Sequence, residues 1–347
     1  MAGRKTTFNK KMAASLRWLG LFLALLYAYW LVMTNLVVRD FWDPPYVTKS
    51  EVLFTALKEN PGRPLWLVLG SSRVDNGLRP DALLATKQPP DAPLIFNFGM
   101  GGADLYRQGI SLKRLLAAGV KPRRVCIEIV GAMMFHDGEG YADDARLAIR
   151  ARRDELDDLC AHAAKPGECR ETWMRSRFNP FYQYGMVMPG QSIALRLVPG
   201  PFLRRFESRP FDRWGWFMSE GGMPQEEVYK KGFAAEAEFE RTYLKSNMVS
   251  AKADADLRSI LDLCKREGVQ AILLRMPEDR DFQQIYPPMI SAAMDAYIKK
   301  IEDDYQVRML DARSWYLERD NFTDGHHLNA MGAVIFTVRF AEELSKL

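Results

Sequence analysis

Three short blocks of the sequence contain residues whose types and order could support nucleophilic catalysis. In the first block Ser71 and Ser72 follow a glycine, and in the last block Asp324 stands three residues before His327. A carboxylate at this spacing can lie beside the imidazole and hold it in one tautomer, so that the second ring nitrogen faces a serine hydroxyl. The residue types therefore predict a serine, histidine and aspartate site, provided that the fold brings the distant blocks together.

The middle block has the sequence NFGMGG and begins at Asn97. Its glycines, Gly99 and Gly102 among them, allow a backbone amide to approach a ligand and to donate to a developing oxyanion. A glycine cluster after a strand can also bind phosphate, but the G-x-G-G spacing is not the dinucleotide pattern G-x-G-x-x-G. We therefore interpret this block as an oxyanion-binding turn.

The first and last blocks also have interpretations without catalysis. Two serines after a glycine are ordinary turn and helix N-cap residues. His326 beside His327 could indicate a metal site, but adjacent histidines usually point apart and no third ligand cluster is evident in the sequence. The sequence therefore predicts neither a metal nor another cofactor.

The four cysteines show no zinc-ligand spacing. Cys126 and Cys264 lie in apolar stretches, and we expect them to be buried small hydrophobic residues. Cys160 and Cys169 flank the polar stretch 161–168, and in an exported domain they could close a short disulfide loop. The sequence leaves that pairing open.

Apolar runs precede the first two blocks and predict buried strands. The run at 64–69 ends in the first block, and the run at 93–98 leads into the second. Three further strands are predicted at 124–130, 269–275 and 307–310, and helices at 105–118, 257–267 and 288–302. The alternation predicts an α/β fold with a three-layer, doubly wound parallel sheet of the flavodoxin-like type, whose site lies outside the carboxyl ends of its strands.

The stretch from about 135 to 250 breaks this alternation and is predicted to be a loop-rich insertion. It is rich in aromatic residues that could stack on sugar rings or form a small core of the insertion itself. These residues are Trp173, Phe178, Phe181, Tyr182, Tyr184, Phe211, Trp214, Trp216 and Phe217.

The segment 19–38 contains twenty residues without a charge, which is the length that a helix needs to cross a bilayer. A signal peptide is the alternative, because basic residues precede the run, but the run is too long and lacks a small-residue cleavage pattern. The basic residues before it predict a cytoplasmic N-terminus in the inner membrane and a periplasmic or extracellular catalytic domain. The predicted divisions are a tail at 1–18, the membrane helix at 19–38, a juxtamembrane segment at 39–62 and one domain at 63–347.

Composition excludes some classes of function. The chain has 48 basic and 44 acidic residues and a net charge of +4, part of which belongs to the extreme N-terminus. Such a small excess gives no sign of nucleic-acid binding. A hydrophobic fraction of 48% is that of an ordinary globular protein, so a chain with many membrane spans is not expected.

Taken together, the three blocks resemble the SGNH, or GDSL-like, hydrolase superfamily, in which G-D-S, N-x-G-x-x-G and D-x-x-H blocks follow in this order. The residues that match are Gly70, Ser72, Asn97, Gly99, Gly102, Asp324 and His327. The resemblance implies an SGNH-like sheet domain with Ser72 as nucleophile, His327 as base and Asp324 as its partner. It also implies that Ser72, Gly99 and Asn97 contribute to the oxyanion site.

The chain departs from the family pattern at two places. Ser71 replaces the aspartate of the first block, and Glu128 stands after the third strand where the family has G-x-N-D. The amides of Ser72 and Gly99 are therefore expected to be the main oxyanion donors. Arg73 and Glu128 could belong to the site or form a salt bridge beneath it.

These departures are similar to those of membrane-anchored SGNH proteins of cell-envelope modification, including the DltD-like and alginate-acetylation types. That similarity implies a serine acyltransferase or esterase acting on acyl groups, in particular O-acetyl groups, of a polysaccharide or a related carrier. It also implies a multipass membrane protein as acyl-exporting partner. A catalytically silent scaffold that binds polysaccharide or such a partner is the alternative. A complete set of Ser72, Asp324 and His327 favours the enzyme.

Overall fold

The computed structural model describes residues 2–32, 43–85, 92–135, 144–179, 211–217, 224–244, 246–315 and 318–347. The chain divides into two compact units. The sheet unit consists of Pro45–Asp143 and Ser208–Leu347, and the helical unit of Met1–Pro44 and Asp144–Glu207.

The sheet unit contains five parallel strands in the order β2-β1-β3-β4-β5. The strands are β1 Leu65–Gly70, β2 Leu94–Gly99, β3 Arg124–Glu128, β4 Gln270–Arg275 and β5 Arg308–Asp311. This is the flavodoxin-like order, in which the chain leaves β1 first to one side and then to the other. In this register Gly70 lies opposite Gly99, so the first two sequence blocks begin side by side.

Helices cover both faces of the sheet. They are α2 Pro44–Glu59, α3 Ser72–Gly77, α4 Leu105–Ala117, α8 Glu226–Tyr243, α9 Ala251–Arg266, α10 Arg280–Gln283, α11 Pro288–Tyr305 and α12 Ala330–Ser345. Alternate residues of β1 point to opposite faces, and Leu67 packs with α4, α9 and α11 whereas Val68 packs with α3, α8 and α12. The predicted three-layer α/β class is thus confirmed.

The helical unit contains α1 Ala2–Val32, α5 Asp144–Arg150, α6 Leu156–His162 and α7 Pro166–Phe178. Among the described residues α1 is the helix long and apolar enough to cross a membrane, through the window Met12–Tyr29, none of which is buried. It begins well before the predicted segment 19–38, and residues 33–38 of that segment lie outside the described residues. The predicted division at 39–62 likewise begins with residues, 39–42, that are not described.

The region predicted as an insertion contains regular helices as well as loops. Helices α5, α6 and α7 lie in it, and so does α8, which belongs to the sheet unit. Among the aromatic residues named above, three tryptophans are buried, namely Trp173, Trp214 and Trp216. Trp214 packs into the core under the sheet, so it serves the fold of that unit. Phe181, Tyr182 and Tyr184 lie outside the described residues.

Candidate active site

The fold brings Ser72, His327 and Asp324 into one hydrogen-bonded chain. The Nε2 atom of His327 lies 2.7 Å from Oγ of Ser72, and its Nδ1 atom lies 2.7 Å from Oδ2 of Asp324. Ser72 is the first residue of α3 and follows the carboxyl end of β1 by two positions. The site therefore lies where a doubly wound sheet places one, outside the carboxyl ends of its strands.

The loop before α12 presents the histidine and the aspartate together. Oδ1 of Asp324 accepts hydrogen bonds from the backbone amides of His326 and His327, at 3.3 and 2.9 Å, which leaves Oδ2 for the imidazole. Gly325 between them has a φ of +99°, and a Cβ atom there would lie 2.9 Å from the rings of Phe233 and Phe282. The turn thus requires glycine at this position.

The ionisation of this pair suits a general base. Burial raises the pKa of the Asp324 carboxyl, but the hydrogen bond and the charge of His327 outweigh burial and hold that pKa well below its usual range. Burial and the neighbouring His326 lower the pKa of His327, and the partial compensation by Asp324 does not restore it. The imidazole of His327 is therefore neutral at neutral pH and can accept a proton.

The two serines of the first block have different contacts. Ser71 is the N-cap of α3, and its Oγ accepts a hydrogen bond from the amide of Arg73 at 3.2 Å. Ser71 is buried, whereas Ser72 is partly exposed. The interpretation of the serines as helix-capping residues thus holds for Ser71, and Ser72 is the one that faces the histidine.

Asn97 and Gly99 of the middle block hold α3 against the sheet. Nδ2 of Asn97 donates to the carbonyls of Val74 and Leu78 at 2.8 and 2.7 Å, and its Oδ1 accepts from the amide of Gly99 at 2.9 Å. A Cβ atom on Gly99 would lie 2.4 Å from the nitrogen of Asp75. Both residues therefore position the helix that begins with Ser72.

These contacts bear on the expected oxyanion donors. The Asn97 amide group and the Gly99 amide are engaged with α3 and with each other, so a donor role would require these bonds to be exchanged. The amide of Ser72 has no partner within its helix, since it is the first helical residue. Gly102 is exposed, has a φ of +70° and has open space around it.

A buried network of charged residues lies directly behind Ser72. Nη1 of Arg73 lies 2.6 Å from Oε1 of Glu278, and Nη2 contacts Glu240. The hydroxyl of Tyr286 lies 3.1 Å from Oε1 of Glu278 and also contacts Glu240. A salt bridge beneath the site is thus present, but the partners of Arg73 are Glu240 and Glu278 rather than Glu128.

Glu128 has a different contact. Its Oε2 accepts a hydrogen bond from the amide of Ser71, and its Oε1 is buried without a hydrogen-bond partner among the described residues. Burial raises the pKa of this carboxyl, although Arg73 and the Ser71 amide act in the opposite direction. Glu128 therefore stabilises the turn between β1 and α3 through its hydrogen bond with the Ser71 amide.

The two adjacent histidines face different partners. His326 is buried, and its Nδ1 atom lies 3.1 Å from Nη2 of Arg73 and 3.4 Å from Oε1 of Glu240. Its Nε2 atom lies 3.4 Å from Oε2 of Glu236. Burial and Arg73 lower the pKa of His326, but the two carboxylates prevail and raise it. Its ring meets that of His327 edge-on, with 4.2 Å between centroids.

Glu236, Glu240, Glu278 and Tyr286 were not anticipated from the sequence. Glu236 and Glu240 are four residues apart on α8, a spacing that puts both carboxylates on one face of a helix. That spacing could have marked them, had the helix been recognised within the predicted insertion. Glu278 follows the carboxyl end of β4, an equally general signal.

The structure brings together a group of possible metal ligands that the sequence did not reveal. Suitable atoms of Glu236, Asp324, His326 and His327 all lie within 4.8 Å of one another. The atoms of Asp324 and His327 are, however, directed at each other and at Ser72. A metal ion bound by all four residues would therefore compete with the hydrogen-bonded chain.

Comparisons with known proteins give little beyond this geometry. No family model matches the chain, and no curated protein matches it. Among solved structures, the chain is similar to a "putative acylhydrolase" from Bacteroides fragilis NCTC 9343, with a TM-score of 0.37 and 11% identity over 83% of this chain and 93% of that one. A likeness at this level leaves the site itself as the basis for assigning a function.

Proposed function

We propose that the protein is a serine acyl hydrolase or acyltransferase that uses Ser72 as nucleophile, His327 as general base and Asp324 as the partner of the base. The observation that supports this most directly is the continuous chain from Ser72 Oγ through both ring nitrogens of His327 to Asp324 Oδ2, with 2.7 Å at each link. This is the arrangement that activates a serine hydroxyl.

In the acylation step Oγ of Ser72 attacks the carbonyl carbon of an ester or thioester. Its proton passes to Nε2 of His327, and Asp324 stabilises the resulting imidazolium. When the tetrahedral intermediate collapses, the same nitrogen returns the proton to the departing alcohol or thiol. Water or an acceptor hydroxyl then attacks the acyl-enzyme, again with His327 as base.

The oxyanion of the intermediate needs nearby backbone donors. The amide of Ser72 is the first, because it has no intrahelical partner. The turn from Gly99 to Gly102 lies at the end of the adjacent strand β2, and its Met100 amide is bound to Gly70 at 2.8 Å. An amide of this turn serves as the second donor.

The N-terminal helix and the SGNH-like blocks support a proposal for the biological setting. The helix α1 anchors the protein in the inner membrane with the N-terminus in the cytoplasm, and the sheet unit acts outside it. An anchored enzyme of the DltD-like or alginate-acetylation-like type receives acyl groups from a multipass exporting partner and transfers them to a cell-envelope polysaccharide or a related carrier. Hydrolysis would be the same chemistry with water as acceptor.

The test is covalent labelling of the purified full-length chain by a fluorophosphonate probe, which reacts with activated serines. We expect labelling of the native protein, loss of labelling in Ser72→Ala and retained labelling in Ser71→Ala, a matched change at the neighbouring serine. Labelling no stronger than that of the heat-denatured protein would contradict the proposal and favour a non-catalytic scaffold.

A further inference from the structure

Two of the four cysteines lie side by side in the helical unit. Cys160 is in α6 and Cys169 in α7, and their Sγ atoms are 3.0 Å apart as separate thiols. Both side chains are buried, with 3% and 2% of their surface exposed. The packing of the helical unit therefore holds the two thiols beside each other.

The geometry needs little change to become covalent. A disulfide has an S–S distance of about 2.05 Å, so the two sulfur atoms must approach by roughly 1 Å. The chain between them, 161–168, is short, and α7 begins within it at Pro166. Side-chain rotation within two adjacent short helices can supply such a movement.

The other two cysteines have no comparable partner. Cys126 and Cys264 lie in the sheet unit and belong to the cores on opposite faces of the sheet. Burial raises the pKa of each thiol to about 12, which leaves almost no reactive thiolate at neutral pH. They therefore serve as internal controls for any measurement on the pair.

We propose that Cys160 and Cys169 form a disulfide, a step that rests on the proposed location of the residues after α1 outside the cytoplasm but not on the proposed catalysis by Ser72. The oxidant is a disulfide-bonded thiol oxidoreductase of the compartment, or glutathione disulfide in vitro. One cysteine thiolate attacks a sulfur of the oxidant and expels a thiolate; the second attacks the mixed disulfide and expels the other. Two protein thiols lose two protons and two electrons, which the oxidant gains as two thiols.

The bond would join two neighbouring helices of the helical unit. Helix α6 has seven residues and is too short to be stable alone. Residues 163–165 link it to α7, and the ion pair between Arg170 of α7 and Asp157 of α6 is exposed. A covalent link across this loop restricts the unfolded chain and keeps the two helices paired.

The experiment uses the full chain, produced with α1 and purified from membranes in detergent. The protein is denatured and its free thiols are blocked with iodoacetamide; it is then reduced, and the newly released thiols are labelled with N-ethylmaleimide. We expect two of the four cysteines to take the second label, and peptide mapping without reduction to identify the linked pair as Cys160 and Cys169. Iodoacetamide on all four cysteines, or a link to a different cysteine, would overturn the proposal.

A thermal measurement gives a second readout. Reduction with dithiothreitol should lower the melting temperature of the native chain by about 5 °C, and should not change that of the double variant Cys160→Ala with Cys169→Ala. The double variant Cys126→Ala with Cys264→Ala keeps the pair and should still respond to the reductant. An equal response of all three proteins would contradict a disulfide at this position.

Discussion

At the scale of single residues, neighbouring residues of the same type make different contacts in the site. Ser71 caps a helix while Ser72 faces the imidazole, and His327 faces the serine while His326 faces carboxylates. Each neighbour makes its own contacts directly beside a proposed catalytic residue. A substitution of the neighbour is therefore expected to change the geometry or the ionisation of the site and to leave its chemistry in place.

The pH dependence of ester hydrolysis should show the effect of His326 on the ionisation of His327. The proposed base must be neutral, so activity is lost as the pH falls through the pKa of His327, which burial and His326 hold below the ordinary value of 6.5. In His326→Gln the charge of His326 is absent, so the pKa of His327 rises and the acid limb of kcat/KM moves to higher pH. The measurement is kcat/KM for a soluble ester between about pH 4 and pH 8, a range that covers the titration of a histidine with a lowered pKa.

His162→Gln is the matched control, because it removes a histidine of the helical unit. Its acid limb should coincide with that of the native protein. An unmoved limb in His326→Gln would show that the two rings do not influence each other. The position of the limb does not depend on the amount of active protein, so partial unfolding of a variant cannot imitate the effect.

At the scale of elements, helix α3 is the component that positions Ser72, the proposed nucleophile. It is held by its cap at Ser71, by the amide group of Asn97 and by the close approach of Gly99. The contact is so close that a methyl group at position 99 would meet the backbone of the helix. A side chain at position 99 would thus prevent α3 from lying this close to β2.

Gly99→Ala should therefore impair the reaction with the fluorophosphonate probe. The new Cβ would lie 2.4 Å from Asp75 N and 2.9 Å from Ser71 O, so α3 must move, and a displacement near 1 Å costs about a hundredfold in rate. Gly119→Ala is the control, since its φ is +86° but no atom lies within 4 Å of the added carbon. It should lose about 1 kcal/mol of stability and label normally. Equal labelling rates in both variants would exclude a positioning role for Gly99.

The buried ion network beneath α3 joins three elements. Arg73 of α3 meets Glu240 of α8 and Glu278, which follows β4. Burial raises the pKa of Glu240, but Arg73 and His326 outweigh burial and lower it to about 2. This carboxylate therefore contributes stability that is present above its ordinary pKa of 4.5 and is lost as the pH falls towards about 2.

Arg73→Met should strongly destabilise the protein, because it leaves two carboxylates buried without their cation. The expected loss is about 3–5 kcal/mol at neutral pH, measured by urea unfolding. The difference from the native protein should shrink below about pH 4.5, where the unpaired carboxyls take up protons. Lys165→Met removes an exposed pair with Glu168 and should have no measurable effect. If the loss of stability stays constant down to about pH 3, the unpaired carboxylates are not its cause.

At the scale of the whole molecule, the strand order explains why these elements meet. With β1 in the sheet between β2 and β3, the carboxyl ends of all three strands lie together where the chain reverses its direction of winding. Ser72 follows β1, Gly99 ends β2 and Glu128 ends β3. The loop with Asp324 and His327 follows β5 and reaches the same edge from the other end of the sequence.

The N-terminal helix should hold the full chain in the membrane. We expect the protein to remain in the pellet after alkaline carbonate extraction, whereas Leu21→Arg with Leu25→Arg should be released, because each central arginine costs about 2.5–3.5 kcal/mol on insertion. Leu21→Ile with Leu25→Ile is the control and should stay in the pellet. Release of the native chain by carbonate would contradict anchoring by this helix.

The orientation can be measured on the same cells. Protease added to spheroplasts should digest the sheet unit and leave an epitope at the N-terminus protected, as the basic residues before the charge-free segment 19–38 predict. Digestion of the N-terminal epitope with protection of the sheet unit would reverse the proposed orientation.

Much of the architecture was determined by local patterns in the sequence. Continuous apolar runs predict buried parallel strands, because a strand covered on both faces has no polar side, and the strands β1, β2 and β4 lie where such runs occur. The D-x-x-H spacing places Asp324 beside His327 within one turn, and the charge-free stretch predicts an apolar N-terminal helix. These features depend on residues close in the chain, so their signal is local.

What the tertiary structure alone decided is how distant residues are paired. The partners of Arg73 are 167 and 205 positions away along the chain, and Ser72 and His327 are separated by 255. No local pattern identifies Glu240 and Glu278 as the partners of Arg73, because the charge of a side chain does not reveal which cation will be buried beside it. The packing of α3, α8 and the loop before α12 determines which residues pair, and it therefore determines the surroundings of the proposed nucleophile.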